Sequence, residues 1–272
     1  MLRKCGSVAH NLIGRYKFIH VRSIKTVKEL VLDWQFWSAF FAFVAIILSQ
    51  FPPMRTWFKG KKAELEKTPY VTLSHKVGNP NVSLFIILKN IGSQTLAVKK
   101  IRAVFKRDNE EVFTLNAGGY LRNQNDAFYT MFTPFDLKVD EVWAHTVNLN
   151  EYWSRKQQQR YREIESEIRN SIFTSQSGAT PEVGKLYEAS IDSQIAISEF
   201  FKENFKWDNG DYSVELEVLS ENDTVLIKDY FRFVLYESES KALADYQSDY
   251  KYGAGVYYNS PKHTGIVVEI SH

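Results

Sequence analysis

Six histidines are the side chains in this sequence best suited to proton transfer or metal binding: His10, His20, His75, His145, His263 and His272. No two stand at the separations that bring imidazoles onto one metal ion, and Cys5, the single cysteine, excludes a thiolate zinc site and an internal disulfide. His75 falls in an alternating apolar-polar segment and His145 follows Trp143, positions that suit a structural or exposed ring. The acidic pairs Glu110-Glu111 and Asp140-Glu141 are adjacent, so in strands their carboxylates point to opposite faces and cannot form an acid/base couple alone. There is no Gly-x-Ser-x-Gly elbow, phosphate-binding loop or dinucleotide fingerprint, and Gly253-Ala254-Gly255 has no Lys-Ser/Thr after it. These residues predict a protein that is not an enzyme and uses no cofactor or catalytic metal.

Recognition is better supported than catalysis. Tyr246, Tyr250, Tyr252, Tyr257 and Tyr258 cluster around Gly253 and Gly255, with Asp245, Asp249 and Lys251 between them. Tyrosine offers rigid amphipathic contact area at low entropic cost, so the cluster could meet a protein or a sugar. The competing reading is that the rings pack onto the β-domain that carries them.

The elements that must position these residues begin with an apolar segment. From Trp34 to Phe51 the chain carries no charge. Phe40, Phe41, Phe43, Ile46, Ile47, Leu48 and Phe51 supply its apolar surface; Trp34 and Trp37 at one end and Trp57 at the other suit the headgroup layer. Pro52 and Pro53 stop or kink the helix. A single transmembrane helix is therefore expected over residues 34–53, after a basic tail (1–33) and before a charged juxtamembrane linker (54–69). Orientation stays open. Lys17, Arg22, Lys25 and Lys28 precede the segment, and Arg55, Lys59, Lys61, Lys62 and Lys67 follow it, so four charges oppose five. The first 28 residues lack Asp and Glu, a composition shared by mitochondrial transit peptides, by basic surface helices and by solvated topology-setting tails.

Beyond residue 70 the period is two. Tyr70 to His75 alternates, Val82 to Leu88 is a β-branched run, and Leu96, Val98, Ile101, Val104 and Phe105 continue as a strand pair or one bent strand. Arg107-Asp108-Asn109-Glu110 is hairpin-like, and turn signals recur every ten residues or so. At 151–173 the period changes: Tyr161, Ile164, Ile168 and Ile172 are spaced three, four and four, one face of a helix with Asn150 as its expected N-cap. Residues 186–205 mix both periods. Strands return at Tyr212 to Val218, Thr224 to Ile227, Tyr230 to Tyr236 and Ile266 to Ile270.

Two stretches resemble immunoglobulin-like or fibronectin-like sandwiches of membrane-anchored bacterial proteins. Leu84 to Leu88 followed by Asn90-Ile91-Gly92 is similar to a strand-Asn-x-Gly-strand pattern, and Gly210-Asp211-Tyr212 resembles the start of a late strand bearing a tyrosine corner. The resemblance implies a fold and no activity. The expected architecture is mainly β: an immunoglobulin-like antiparallel β-sandwich over 70–272, with a helical insertion at about 150–205, preceded by the membrane helix.

Net charge is +2, from 34 basic and 32 acidic residues, too balanced to mark the chain as a nucleic-acid binder. The expected partners are a lipid bilayer and a protein, with self-association open. The expected role is a binding or scaffolding module on a membrane, in a bacterial setting the cytoplasmic membrane, with the face of the β-domain undecided. The alternative is a membrane effector, in defence or signalling, whose soluble domain senses a signal while the helix oligomerises.

Overall fold

The computed structural model describes residues 34–50, 60–177 and 185–271. The chain divides into two compact units, Met1–Met54 and Arg55–His272.

In the first unit a helix, α1, spans Trp34–Gln50. Its 17 residues rise about 26 Å at about 1.5 Å each, short of the roughly 30 Å of a hydrocarbon core. Among the described residues no helix is long and apolar enough to cross a membrane. The expected transmembrane helix over 34–53 is therefore present as a shorter apolar helix; Phe51, the proline pair and Trp57 lie outside the described residues.

The second unit is mainly antiparallel β. Its strands are β1 (Ala63–Lys67), β2 (Tyr70–Lys76), β3 (Asn79–Asn90), β4 (Leu96–Val98), β5 (Lys100–Arg107), β6 (Glu110–Leu121), β7 (Thr130–Met131), β8 (Phe135–Leu137), β9 (Val142–Asn150), β10 (Gly210–Leu219), β11 (Val225–Leu235) and β12 (Ile266–Glu269). Helices α2 (Arg155–Ser177) and α3 (Ile191–Asn204) separate β9 from β10; α4 (Glu237–Ala244) and a 3-10 segment (Asp245–Tyr252) separate β11 from β12. Ten strands form one sheet in the order β11-β10-β5-β6-β9-β3-β2-β12, with β1 also beside β3 and β7 beside β6; β4 and β8 pair separately.

The sheet curls because one face of every long strand is apolar. Val82, Leu84, Ile86 and Leu88 of β3, Ile101, Ala103 and Phe105 of β5, and Tyr212, Val214, Leu216 and Val218 of β10 all enter one core. Each such aliphatic side chain removed from water contributes roughly 1.5–3 kcal/mol, and a sheet with one wet face can bury that set only by folding over it. The curl brings the ends of the sheet together, where Arg232 of β11 and Ser271 exchange two backbone hydrogen bonds of 2.8 Å. The sandwich expected from sequence is thus one curled antiparallel sheet whose opposite walls share a core, an arrangement compatible with a sandwich-like fold.

Both quoted motifs have physical roles. The Asn90 amide donates to the carbonyls of Gln94 and Leu137, each at 2.9 Å, and its oxygen accepts from the Gly92 N–H at 3.0 Å, so this buried polar group is satisfied. The Tyr212 hydroxyl donates to the Asp208 carbonyl at 2.7 Å, tying the start of β10 to the loop before it as a tyrosine corner does.

Several boundaries differ from expectation. The charged linker contains β1: Ala63 and Leu65 alternate with outward Glu64 and Glu66, and β3 supplies the partner edge. Asn150 ends β9, and α2 starts later, under a capping box in which the Ser154 hydroxyl accepts from the Gln157 N–H and the Gln157 side chain accepts from the Ser154 N–H. The two strands expected at Thr224 to Ile227 and Tyr230 to Tyr236 are one long strand, Val225–Leu235, because Lys228 points outward to Glu217 at 2.6 Å and breaks nothing. Asp108 and Asn109, both at positive φ, make the two-residue turn expected between β5 and β6.

Candidate functional site

The helices build a second core beside the sheet. Tyr161, Ile164, Ile168 and Ile172 of α2 are buried against Ile197, Phe200 and Phe201 of α3, with Tyr250 and Val256 from the C-terminal part. The hairpin between β2 and β3 enters the same core. Its turn is Val77-Gly78, at φ of 47° and 87°, and Val77 is buried there despite a backbone conformation that β-branched residues avoid. Burial of the Val77 side chain among the helices offsets that strain.

His75 stands at the base of this hairpin. Its Nδ1 accepts from the Gly78 N–H at 3.1 Å, so the proton resides on Nε2, which donates to the Leu243 carbonyl at 2.8 Å. Burial is the main reason its pKa falls to about 4; the bond to Leu243 opposes the fall and the nearby His263 adds to it. With both nitrogens engaged, the ring has no lone pair left for a metal or a substrate proton.

The tyrosine cluster closes over this point. The Tyr246 ring lies between two histidines, 4.3 Å from His263 in a stacked geometry and 5.1 Å from His75, and its hydroxyl accepts from the Gly265 N–H at 3.0 Å. Tyr250 is 1% exposed and packs on Phe201. Tyr257 is half-buried under the Arg169 guanidinium, at 5.3 Å, and leaves no room for a Cβ on Gly253. Tyr252 is half-buried beneath the Lys251 ammonium at 4.8 Å, and Tyr258 is 42% exposed. The five tyrosines are therefore brought together, with Tyr246, Tyr250 and Tyr257 turned to the interior. Tyr258 offers the most surface to a partner, and Tyr246, Tyr252 and Tyr257 are each half-buried.

Sequence reasoning assigned no role to His263, which joins the cluster 3.4 Å from the Asp249 carboxylate. Burial lowers its pKa, against the pull of Asp249. The local signal was Gly255, whose positive φ of 73° lets the chain pass where a Cβ would meet the His263 ring at 2.6 Å. His145 is held by the Leu121 carbonyl at 3.0 Å from Nδ1 and packs between Tyr120 and Trp143. Among the described residues no three of His, Cys, Asp and Glu come together in a group that could hold a metal.

The residues expected to act as an anchor form a different kind of surface. Along α1, Trp37 touches Phe40 and Phe41 with ring centroids 5.7 Å apart, and Phe36 stacks on Phe40 at 6.5 Å. Trp34, Trp37, Phe40, Phe41, Phe43, Ile46, Ile47 and Leu48 are all exposed, Trp34 at 84%. These positions cover about two thirds of the helix circumference, and the remaining sector carries Gln35, Ser38, Ala42, Ala45 and Ser49, none of them charged.

No family model, curated protein or solved structure matches the chain.

The function therefore has to be argued from the two surfaces themselves. A third surface lies at the join of the sheet. There β11 and β12 diverge from the Arg232–Ser271 link and bound a groove of about 810 Å³.

Proposed function

We propose that the protein is a membrane-attached, non-enzymatic β-module that meets a protein partner at the lipid surface. One observation carries the attachment: α1 exposes aromatic and aliphatic side chains over about two thirds of its circumference and has no charged residue. An amphipathic helix could rest on a protein surface with its polar face in water. A helix with so wide an apolar surface and no charge favours an apolar medium around it, and the indoles of Trp34 and Trp37 favour one bordered by headgroups. The described helix is short for a full crossing, so insertion with the flanking residues, or seating at the depth of the interface, both satisfy its chemistry.

The partner-binding role follows from what the β-domain presents. His75, His145 and His263 are engaged in packing, the tyrosine cluster is mostly internal, and the exposed features are sheet edges and isolated aromatic side chains. Attachment confines such a surface to two dimensions and raises the local concentration of any partner also at the membrane.

The test is fractionation of cells making the full chain with a tag after His272. Wild type should stay with membranes through an alkaline carbonate wash, and F41D/I46D should move to the soluble fraction while keeping the melting transition of the β-domain. A wild-type chain released by carbonate sinks the insertion reading. Reporter fusions active on only one side of the membrane, placed after His272, then assign the face.

A further inference from the structure

We infer that the groove between β11 and β12 is a strand-addition site for an extended polypeptide segment in which apolar and basic residues alternate. This rests on the partner-binding reading and names where and how the partner docks.

The argument starts from hydrogen-bond alternation. In an antiparallel ladder, successive residues direct their N–H and C=O groups to opposite edges. Ile270 donates to the Pro69 carbonyl, on the β2 side, at 2.8 Å, so the backbone groups of Ile270 and Val268 face β2. Those of Ser271, Glu269 and Val267 face the other way, and Ser271 uses its pair on Arg232. On β11 the same bonds show that Arg232 faces away from β10; with no register shift nearby, Val234 does too. The backbone of Tyr236 is consumed by the cap of α4, where its N–H donates to Glu239 at 2.9 Å and its carbonyl accepts from Glu239 and Ser240. Beyond the Arg232–Ser271 link the sheet thus presents Val267 and Glu269 on one bank and Val234 on the other. Their backbone groups point into a groove of about 810 Å³. Sheet edges left open in this way are templates for another strand.

The side chains select which strand. Val234 and Val267, 45% and 62% exposed, share the outward face with Arg232 and Glu269, and the inward-facing Phe233 and Val268 give the apolar contacts. The charged lining is one-sided: Asp108, Asp211, Glu239 and Glu269 against Arg232 alone. A segment with lysine or arginine at every second position places its cations on the outward face, over these carboxylates, and its apolar residues on the opposite face, towards Phe233 and Val268. An acidic segment would be repelled.

The experiment uses the full chain in detergent micelles and three end-blocked heptapeptides: alternating lysine and valine, the same peptide N-methylated at alternate residues, and alternating glutamate and valine. The lysine peptide should bind and slow hydrogen exchange at the amides of Val234, Val267 and Glu269. The N-methylated peptide keeps the charge but lacks one edge of donors, and together with the acidic peptide it should bind at least about tenfold more weakly. V267P removes a donor that the β2 ladder does not use and should weaken binding to a similar degree; E269K gives a second variant without a backbone change. Equal binding of the methylated or acidic peptide overturns the inference, as does unchanged affinity in E269K. Protection that maps to Tyr252 and Tyr258 overturns this site while leaving the partner-binding reading intact. Absence of binding by all three peptides overturns the site as well.

Discussion

His75 donates from Nε2 to the carbonyl of Leu243 across 2.8 Å, joining β2 to the last turn of α4 over a sequence separation of 168 residues. That bond survives protonation of the ring; the neutral form is required by Nδ1, which accepts from the Gly78 N–H. The imidazole titrates near 6.5 in the unfolded chain and near 4 in the folded one, chiefly through burial. Its contribution is therefore complete above about pH 6.5 and is lost as pH falls towards about 4, because only the unfolded state takes up the proton in that window. At about 1.4 kcal/mol per pH unit, the wild type should lose about 2 kcal/mol between pH 7 and pH 5 from this ring. In H75Q that slope should shrink, leaving the smaller contribution of His263, whose pKa is lowered in the same direction. Urea unfolding at the two pH values measures it; parallel losses in both proteins would falsify the assignment.

Gly78 is required for two reasons that can be separated. Its φ is +87°, and a Cβ there would lie 2.7 Å from the Phe201 carbonyl oxygen and 2.8 Å from the Phe205 nitrogen. Both contacts are backbone atoms at the end of α3, which cannot swing aside. Gly78→Ala should cost on the order of 2–4 kcal/mol. Gly60 has φ of +58° with nothing within 4 Å, so Gly60→Ala meets only backbone strain, about 1 kcal/mol. Equal losses in thermal or denaturant unfolding would show that the hairpin tip is not wedged against α3 in solution.

The Tyr212 hydroxyl gives the cleanest single-atom test of the β-domain. It donates to Asp208 at 2.7 Å and to Lys206 at 3.2 Å, while its ring stacks on Phe233 at 5.0 Å. Burial pushes the phenol pKa up to about 12, so it remains a donor across the working pH range. Tyr212→Phe keeps the stacking and strands the two carbonyls, for a loss of about 1–3 kcal/mol. Tyr230→Phe, on the exposed face of β11, should change stability by less than about 0.5 kcal/mol. A silent Tyr212→Phe would mean that the loop from Lys206 to Asp208 is held by Trp207 and the Arg107–Asp208 ion pair without the hydroxyl.

The parts of this fold that sequence discloses are those governed by local period. Tyr212, Val214, Leu216 and Val218 alternate and all are buried; Tyr161, Ile164, Ile168 and Ile172 repeat at helical spacing and all are buried. Where charge covers the period, reading fails. Glu64 and Glu66 disguise β1, and Lys228-Asp229 looks like a break in β11 because their partners, Glu217 and Lys67, are remote in sequence. The candidate sites are less legible still. The burial of Tyr250 is imposed by Phe201, and the groove at the sheet join exists because Arg232 meets Ser271. Neither relation leaves a spacing that a single sequence displays. The exposed aromatic helix is the exception, since absence of charge and a wide apolar surface are properties of the segment itself.

Lys67 and Asp229 supply the last prediction. Their ion pair links β1 to β11 at the join of the curled sheet, with the Lys67 side chain only 3% exposed and its ammonium 5.7 Å from the Phe231 ring. Apart from this pair, the named edge strands meet across the join at the Arg232–Ser271 bonds. Removing the carboxylate leaves a buried cation without its counter-charge, so Asp229→Asn should destabilise the domain by about 3–5 kcal/mol. Changing both partners, Lys67→Met with Asp229→Asn, removes the charge that needs compensation and should recover most of that loss. The amides of Arg232 and Ser271 report the join directly. Their hydrogen exchange should speed up in Asp229→Asn more than that of Leu84 or Ile86 deep in β3, because the join opens before the core does. Uniform acceleration at all four amides would mean that the ion pair supports the whole sheet and not its closure. Recovery of stability in the double variant with the join amides still fast would assign closure to the ion pair and stability to the apolar core.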